Sequence, residues 1–280
     1  MPTTTRDTDL GEADRALKAR HRMMWASGDY PAVAREIVGD LGPDLVAFAG
    51  VSRGATVLDV AAGSGSASIA AALLGADVTA SDLTPELFDA GRLAAEAEGV
   101  DLEWSTADAE ALPFDDGAFD IVLSCIGVMF APHHETAAAE LSRVAKPGGT
   151  IALTSWTPAG FIGQMFATMK PFAPPPPPGA QPAPLWGDEA HLADLLGHDV
   201  EDLRMEKRTL PVTRFTTPEA FRDYFKTNYG PTIAVYRFLA DRPTDAAALD
   251  TALTDLARRF DRGGGAMEWE YLIARGTRRG

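Results

Sequence analysis

The sequence predicts an α/β protein with a doubly wound, seven-stranded mixed sheet, a helical N-terminal segment and a helical cap. Three observations predict this fold. Short apolar strands alternate with helical segments from residue 56 onward, a glycine-rich turn follows the first of these strands, and the alternation loosens after Trp156. Strands that alternate with helices are typical of βαβ units, and such units build parallel sheets.

The first fifty residues read as helices. Their apolar residues recur at roughly helical spacing, namely Leu17, Met24, Val33, Ile37, Val38, Leu41 and Leu45. A turn interrupts this pattern between Trp25 and Pro31, and its two aromatic side chains, Trp25 and Tyr30, look exposed. We therefore expect an N-terminal helical segment over residues 1–50.

The next hundred residues carry the alternating pattern. It predicts strands over 56–60, 77–81, 102–105, 119–124 and 150–155, with helices up to residue 74, over 85–98 and over about 135–144. Thr84 precedes Pro85 and Thr217 precedes Pro218, and a threonine followed by proline suits a capped helix start. We expect this core to span residues 51–156.

Residues 157–280 lose the regular alternation. The proline run over 174–178 can form neither a helix nor a central strand, so it predicts a stiff polyproline segment. Strands are expected over 203–215 and 268–273, with helices over 218–240 and 243–260. The segment therefore supplies two sheet strands and a largely helical insertion that caps the sheet.

Composition and charge exclude several classes of function. The chain of 280 residues has a formal net charge of −15, which repels nucleic acids and anionic membranes. No apolar run approaches the roughly 20 residues that span a bilayer, and the first ten residues do not resemble a signal peptide. With Cys125 as the single cysteine, we expect a cytoplasmic protein without a disulfide. The histidines show no metal-ligand spacing, so no metal is expected. The oligomeric state stays open, with a homodimer as one option.

A ligand site is predicted where the first three strands end. Gly63 and Gly65 follow the first strand, and a glycine turn lets a ligand approach the backbone and the N-terminus of the next helix. Asp82 ends the second strand, where a carboxylate can accept the hydroxyls of a ribose. Asp108 follows the third strand and could read an adenine edge. A helix-capping role for Asp82 and a solvated loop for Asp108 are the simpler alternatives.

Several motifs in this region carry a family resemblance. In order they are Asp59-x-Ala61-x-Gly63-x-Gly65, Ser81-Asp82-Leu83-Thr84, Ala107 to Phe114, Phe119-Asp120 and Arg143 to Gly149. Together they resemble the successive motifs of class I S-adenosylmethionine-dependent methyltransferases, of the methyltransferase type 11 group, over roughly residues 55–156. Flanking segments resemble a bacterial subgroup of small-molecule enzymes: Trp25-x-x-Gly28-Asp29-Tyr30, Gly127 to Pro132, Trp156 to Gly163 and Tyr229-Gly-Pro-Thr232.

The resemblance implies a Rossmann-like methyltransferase fold and a set of cofactor contacts. It places the glycine turn against the methionine part of S-adenosylmethionine, Asp82 on the ribose, Leu83 on the adenine ring and Asp108 with Ala109 on the adenine amino edge. The N-terminal helices of such enzymes often cover the cofactor. The full implied set is Trp25, Tyr30, Asp59, Ala61, Gly63, Gly65, Asp82, Leu83, Asp108, Ala109, Cys125 and Ile126.

The activity implied is methyl transfer to oxygen or nitrogen of a small, partly apolar molecule, with carbon as a third option. Its main requirement is an acceptor held in line with the methyl group. A general base would help a hydroxyl or ammonium acceptor. His134 is the preferred candidate, followed by His133 and Tyr229, although two histidines at a helix start also suit a solvated position. Relatives commonly carry aspartate where this chain has His133.

Two other functions stay open at this stage. Gly63, Gly65 and Asp82 alone would also suit an NAD-dependent oxidoreductase, although the Asp108 segment and the order of the later motifs argue against it. A protein of this fold could also bind the cofactor without transferring methyl groups. Comparing the binding of NAD and S-adenosylmethionine separates the first alternative, and formation of S-adenosylhomocysteine separates the second.

Overall fold

A computed structural model of the chain describes the backbone of residues 4–280 and the side chains of residue 11 and of residues 13–280. The prediction that the first ten residues hold no signal peptide lies outside the described residues and side chains. Over the part that is described, no helix combines the length and the apolar character that crossing a membrane requires.

A single seven-stranded mixed sheet forms the centre of the molecule, as the sequence predicts. Its strands are β1 (Thr56–Val60), β2 (Asp77–Asp82), β3 (Glu103–Thr106), β4 (Phe119–Cys125), β5 (Ala145–Trp156), β6 (Val200–Val212) and β7 (Met267–Arg278). They lie in the order β3-β2-β1-β4-β5-β7-β6. The first five run parallel, whereas β7 pairs antiparallel with both β5 and β6.

Eleven α-helices over the described residues surround this sheet. They are α1 (Thr4–Trp25), α2 (Tyr30–Glu36), α3 (Leu41–Ala49), α4 (Ser66–Leu73), α5 (Phe88–Glu98), α6 (His134–Val144), α7 (Phe161–Met169), α8 (Glu189–Leu196), α9 (Pro218–Asn228), α10 (Gly230–Phe238) and α11 (Pro243–Phe260). Helices α3 and α4 pack together on the sheet, and α6 and α8 form a second pair that contacts β4, β5 and β6. Helices α7, α9 and α11 contact one another and build the cap.

The second half departs from the predicted elements in two places. The single helix expected over 218–240 is two helices, because the backbone of Tyr229 is extended (φ −99°, ψ 112°). Helices α7 and α8 were not predicted. The proline run has no regular helix or strand, as expected. Thr217 caps α9 as predicted, because its hydroxyl accepts the Ala220 N–H at 3.1 Å.

The hydrophobic core lies on the central parallel strands and fixes where their ends meet. Leu58 of β1 pairs in register with Thr79 of β2 and with Val122 of β4, and both Leu58 and Val122 are fully buried. Parallel strands covered on both faces read as apolar runs, which is why the sequence pattern located them. Their carboxyl ends therefore lie side by side in the order β3, β2, β1, β4.

Candidate functional site

An open cleft runs along these four strand ends. Its empty space, including the part open to solvent, is about 940 Å³, within the range of small-ligand sites. The segments after β1, β2, β3 and β4 form its floor, and side chains of α1 and α2 form its opposite wall. Ten of the predicted cofactor residues line it: Trp25, Tyr30, Ala61, Gly63, Asp82, Leu83, Asp108, Ala109, Cys125 and Ile126.

The backbone is strained where β1 and β4 reach this cleft. Ala61 and Ile126 both have φ of 56°, although neither is glycine. A positive φ is unusual for residues with a β-carbon, and such strain is found most often at functional sites. Gly63 also has a positive φ of 58°, and a β-carbon there would lie 3.4 Å from the Tyr30 ring, at van der Waals contact. These turns bring backbone, rather than side chains, to the cleft floor.

Asp82 stands at the end of β2 and is almost fully buried. Its Oδ2 accepts the Gly63 N–H at 2.8 Å and its Oδ1 accepts the Thr84 N–H at 2.7 Å. Burial raises the pKa of Asp82, and these two backbone N–H groups act against that rise. The expected cap by Thr84 is wrong, because its buried hydroxyl makes no hydrogen bond in the described structure. Asp82 instead holds the start of this helical segment as well as the glycine turn.

Asp108 stands after β3 in a network of charged groups. Its Oδ1 accepts hydrogen bonds from the Lys18 ammonium at 3.0 Å and from the Glu110 N–H at 3.0 Å. Lys18 also pairs with Glu110, which accepts the His133 N–H and lies 2.8 Å from His133 Nδ1. Although burial alone would raise it, the pKa of Glu110 is lowered by Lys18 and His133. The network therefore ties α1 to the end of β3.

The ligand atoms of Asp14, Glu110 and His133 lie within 4.8 Å of one another. The ammonium of Lys18 already neutralises Glu110 there, so we assign no metal to this cluster. The absence of a metal stays a prediction.

Trp25 and Tyr30, which looked exposed in the sequence, lie against each other on the cleft wall. Their ring centroids are 5.3 Å apart, and Trp25 also contacts Phe130 at 4.7 Å and Tyr229 at 5.8 Å. Gly230 permits this contact between the N-terminal turn and the cap, because a β-carbon there would lie 2.3 Å from the Met24 carbonyl oxygen. The N-terminal helices and the cap thus meet above the end of β1.

A smaller apolar pocket continues from the cleft toward β5 and β7. It holds about 300 Å³ of empty space and shares Tyr30, Val38 and Ile126 with the cleft. Its full lining is Tyr30, Val33, Val38, Ile126, Trp156, Ile162, Phe225, Tyr229 and Trp269. Among the residues that the structure describes, this lining therefore contains no carboxylate, histidine, lysine or arginine. Its polar side-chain groups are two tyrosine hydroxyls and the Trp156 and Trp269 indoles.

His134, the preferred general base from the sequence, is not placed to act as one. The side chain is fully buried, does not line the cleft, and has its Nδ1 2.9 Å from Nε2 of His191. Burial, with His191 as a second cause, lowers the pKa of His134 to about 4. The alternative of a solvated pair is also wrong for this residue. His134 joins α6 to α8 as part of the protein interior.

The other two catalytic candidates have different positions. His133 faces Glu110 beside the cleft but does not line either cavity. Tyr229 lines the apolar pocket, and its side chain is 5% exposed. Burial raises the pKa of Tyr229 well above its ordinary value, so its hydroxyl stays protonated at neutral pH. Tyr229 can donate a hydrogen bond there but cannot serve as a base.

Two predicted cofactor residues lie outside the cleft. Asp59 is buried beneath the glycine turn, where its Oδ2 accepts the Ser68 hydroxyl at 2.6 Å, and burial raises its pKa to about 7. Gly65 is the N-cap residue before α4, with φ 81°, and a β-carbon there would lie 2.7 Å from the Trp104 ring. Both residues pack beneath the glycine turn and do not line the cleft. Cys125 does line it, and burial raises the pKa of its thiol to about 12.

Sequence reasoning did not name Lys18, His21, Ala34, Val38 and Phe130 among the residues that line the cleft. Lys18 and His21 lie about two turns and about one turn before Trp25 on α1, so the placement of Trp25 at the site gave a signal for both. Phe130 lies within the Gly127 to Pro132 segment already singled out. Nothing in the sequence pattern distinguished Val38 from the other core residues of the N-terminal segment.

Comparisons with known proteins agree with the observed fold. Residues 58–153 match the family described as "Methyltransferase domain". An uncharacterized protein of Mycobacterium bovis is 51% identical over 261 residues, 92% of this chain and 94% of that protein. A demethylmenaquinone methyltransferase of Thermus thermophilus is 38% identical over 104 residues, 36% of this chain and 47% of that enzyme.

A solved structure supports the same fold. The candidate methyltransferase of Bacillus halodurans superposes with a TM-score of 0.56 at 21% identity, covering 85% of this chain and 99% of that one. The family match spans the strands whose ends form the cleft floor, from β1 to β5. The chain therefore belongs to the S-adenosylmethionine-dependent methyltransferases of the class I fold.

Proposed function

We propose that the protein transfers the methyl group of S-adenosylmethionine to oxygen or nitrogen of a small, partly apolar molecule, with carbon as a third option. One observation carries the proposal. A single cleft crosses the ends of β3, β2, β1 and β4, has carboxylates after β2 and β3, and continues into an apolar pocket beyond β4. The two cavities suit a cofactor and an acceptor placed end to end.

The residues of the cleft fit S-adenosylmethionine. A carboxylate offers about four acceptor sites, and Asp82 uses two of them on backbone N–H groups. Its remaining capacity at the cleft can accept the two hydroxyls of a ribose. The Oδ2 of Asp108 has no hydrogen-bond partner among the described residues, so it can accept from an adenine amino group. Gly63 leaves the backbone open to the methionine part.

The cofactor, when bound, supplies a methyl group on a positively charged sulfur. The chain's own task is to hold the acceptor beside it and to exclude water. Accurate positioning of this kind can contribute about 7–11 kcal/mol. The rings of Trp25 and Tyr30 stand on the cleft wall over the β1 turn, where their faces can stabilise positive charge.

The acceptor is proposed to be small on two grounds. The net charge of −15 opposes nucleic acids and anionic membranes, and the acceptor pocket itself is apolar. A cytoplasmic location and a homodimer stay predictions.

Binding and product formation test this proposal. Isothermal titration of the purified chain with S-adenosylmethionine, S-adenosylhomocysteine and NAD should show binding of the first two and none of NAD. Incubation of the S-adenosylmethionine complex with a panel of phenols, amines and carbon acids should release S-adenosylhomocysteine with at least one acceptor. Tight binding of NAD alone would overturn the proposal, and cofactor binding without turnover across the panel would favour a non-methylating role.

A further inference from the structure

We propose that the acceptor is an acidic phenol or enol on an apolar ring system, bound as its anion by the hydroxyls of Tyr30 and Tyr229. The inference rests on the proposed function and names the substrate class of the same site. It follows from the hydrogen bonds of the tyrosines, from the absence of a base in the apolar pocket and from the order of the groups along the cleft.

The five tyrosines of the chain fall into two groups. Tyr224, Tyr236 and Tyr271 each donate to a carboxylate, at 3.1, 2.6 and 2.6 Å. The hydroxyls of Tyr30 and Tyr229 have no hydrogen-bond partner among the described residues, although Tyr229 is 5% exposed. Neither hydroxyl is fully enclosed, so both are open to a cavity, whereas the Trp269 indole N–H of the same lining is enclosed without a partner among the described residues. Both unpaired tyrosines line the apolar pocket, and their ring centroids are 6.4 Å apart.

These two hydroxyls act as donors at neutral pH. Burial raises the pKa of both Tyr30 and Tyr229 above the ordinary value, so neither ionises there. The titratable groups that face Tyr30 are Asp82 and Cys125, and Tyr30 itself faces Tyr229. Burial also raises the pKa of the Cys125 thiol to about 12, which keeps it neutral. Two neutral donors, on rings whose centroids are 6.4 Å apart, are complementary to an anionic oxygen bound between them.

No group of the pocket can take a proton from the acceptor. Among the described residues, the pocket lining includes no carboxylate, histidine, lysine or arginine. Lys18, His21, Asp82 and Asp108 line the cofactor cleft instead. An ammonium acceptor would have to lose its proton without a base and would lack a counter-charge. An acceptor that ionises in water near neutral pH needs neither, because its proton has already passed to the solvent.

The transfer then balances without proton movement in the pocket. The anionic acceptor oxygen forms a bond to the methyl carbon while the bond between that carbon and sulfur breaks. The electron pair of the broken bond stays on sulfur, which becomes neutral. The products are a methyl ether and a neutral thioether, and Tyr30 and Tyr229 keep their protons throughout. Their hydrogen bonds hold the oxygen in place and exclude water from it.

The test uses the coloured probe 4-nitrophenol, which ionises near neutral pH, with the chain saturated by S-adenosylhomocysteine. Absorbance separates bound phenolate from bound phenol across a pH series. We expect the phenolate to bind about tenfold or more tightly than the phenol. Tyr30→Phe and Tyr229→Phe should each weaken phenolate binding about tenfold, because each removes a hydrogen bond to a charged oxygen. Both variants keep the aromatic ring and should fold.

Two controls make the result specific. The neutral ether 4-nitroanisole should bind the wild type and both variants equally. Tyr236→Phe removes a hydroxyl that binds Asp250 outside both cavities and should leave phenolate binding unchanged. Equal binding of phenol and phenolate, no binding of either, or unchanged phenolate binding in both pocket variants overturns the inference. If S-adenosylhomocysteine still binds in those cases, the proposed function stands, and if it does not bind, the proposed function itself fails.

Discussion

Replacing His134 by glutamine should change how the stability of the protein depends on pH. In the folded chain burial lowers the pKa of His134 from 6.5 to about 4, and its ring lies 5.5 Å from Trp186 with no exposed surface. The unfolded chain therefore binds a proton at a pH where the folded chain does not. Stability conferred by the neutral side chain is full above pH 6.5 and is lost as the pH falls toward 4.

The size of the effect follows from the pKa difference. A shift of this extent corresponds to about 3 kcal/mol when fully expressed, and about 2 kcal/mol is lost between pH 7 and pH 5. Urea unfolding at these two pH values gives the free energy of unfolding for the wild type and for His134→Gln. The wild type should lose about 2 kcal/mol more than the variant on acidification.

An exposed histidine provides the matched control. His198 lies on the surface after α8, and His198→Gln should follow the wild type at both pH values. The variant at position 134 should also bind S-adenosylhomocysteine normally, because the residue does not line the cleft. A difference in free energy of unfolding between the wild type and His134→Gln that is the same at pH 7 and pH 5 would refute the prediction that His134 is buried in its neutral form.

Three further predictions concern groups around the site. Asp59→Asn should raise the free energy of unfolding at pH 8, and this gain should shrink toward pH 4. The reason is that burial raises the pKa of Asp59 to about 7, so that its charged form opposes folding at high pH. An equal gain at pH 8 and pH 4 in urea titrations would contradict this. Gly127→Ala should lower the free energy of unfolding by about 1–3 kcal/mol, since the added β-carbon would lie 2.2 Å from the Ala61 carbonyl oxygen. An unchanged midpoint of thermal unfolding would contradict this prediction. Lys18→Met should destabilise by about 3–5 kcal/mol at pH 7, because both partners of the Lys18–Glu110 pair are buried. The loss should be smaller at pH 4, where the Glu110 carboxylate is protonated after losing its partner. An equal loss of unfolding free energy at both pH values would contradict this.

The strand ends that form the cleft floor could be predicted from the sequence. The central strands β1 and β4 are buried and largely apolar, which made them recognisable. Asp82 and Asp108 come at the ends of β2 and β3, which are more polar, and their position after a strand singled them out. Because parallel strands share one carboxyl edge, predicting the strands also predicted that these side chains line one cleft. The paired glycines after β1 marked the turn at its centre.

The rest depends on contacts between distant parts of the chain. His134 meets His191, 57 residues later, and no local pattern indicates that α8 would cover the start of α6. Tyr229 reaches Trp25 and Tyr30 because a helix break and Gly230 let two loops touch. Hydrophobic spacing predicts that such residues are buried, but it does not identify which buried faces meet. This is why the sequence did not identify the residues that line the acceptor pocket.

The central claim is that Asp82, at the end of β2, holds the adenosyl ligand. Calorimetric titration of S-adenosylhomocysteine into the wild type, Asp82→Ala and Asp77→Ala tests it, because Asp77 is exposed at the other end of the same strand. Loss of hydrogen bonds to a carboxylate should weaken binding about tenfold or more in Asp82→Ala and leave Asp77→Ala unchanged. Wild-type affinity in a folded Asp82→Ala variant would contradict the account.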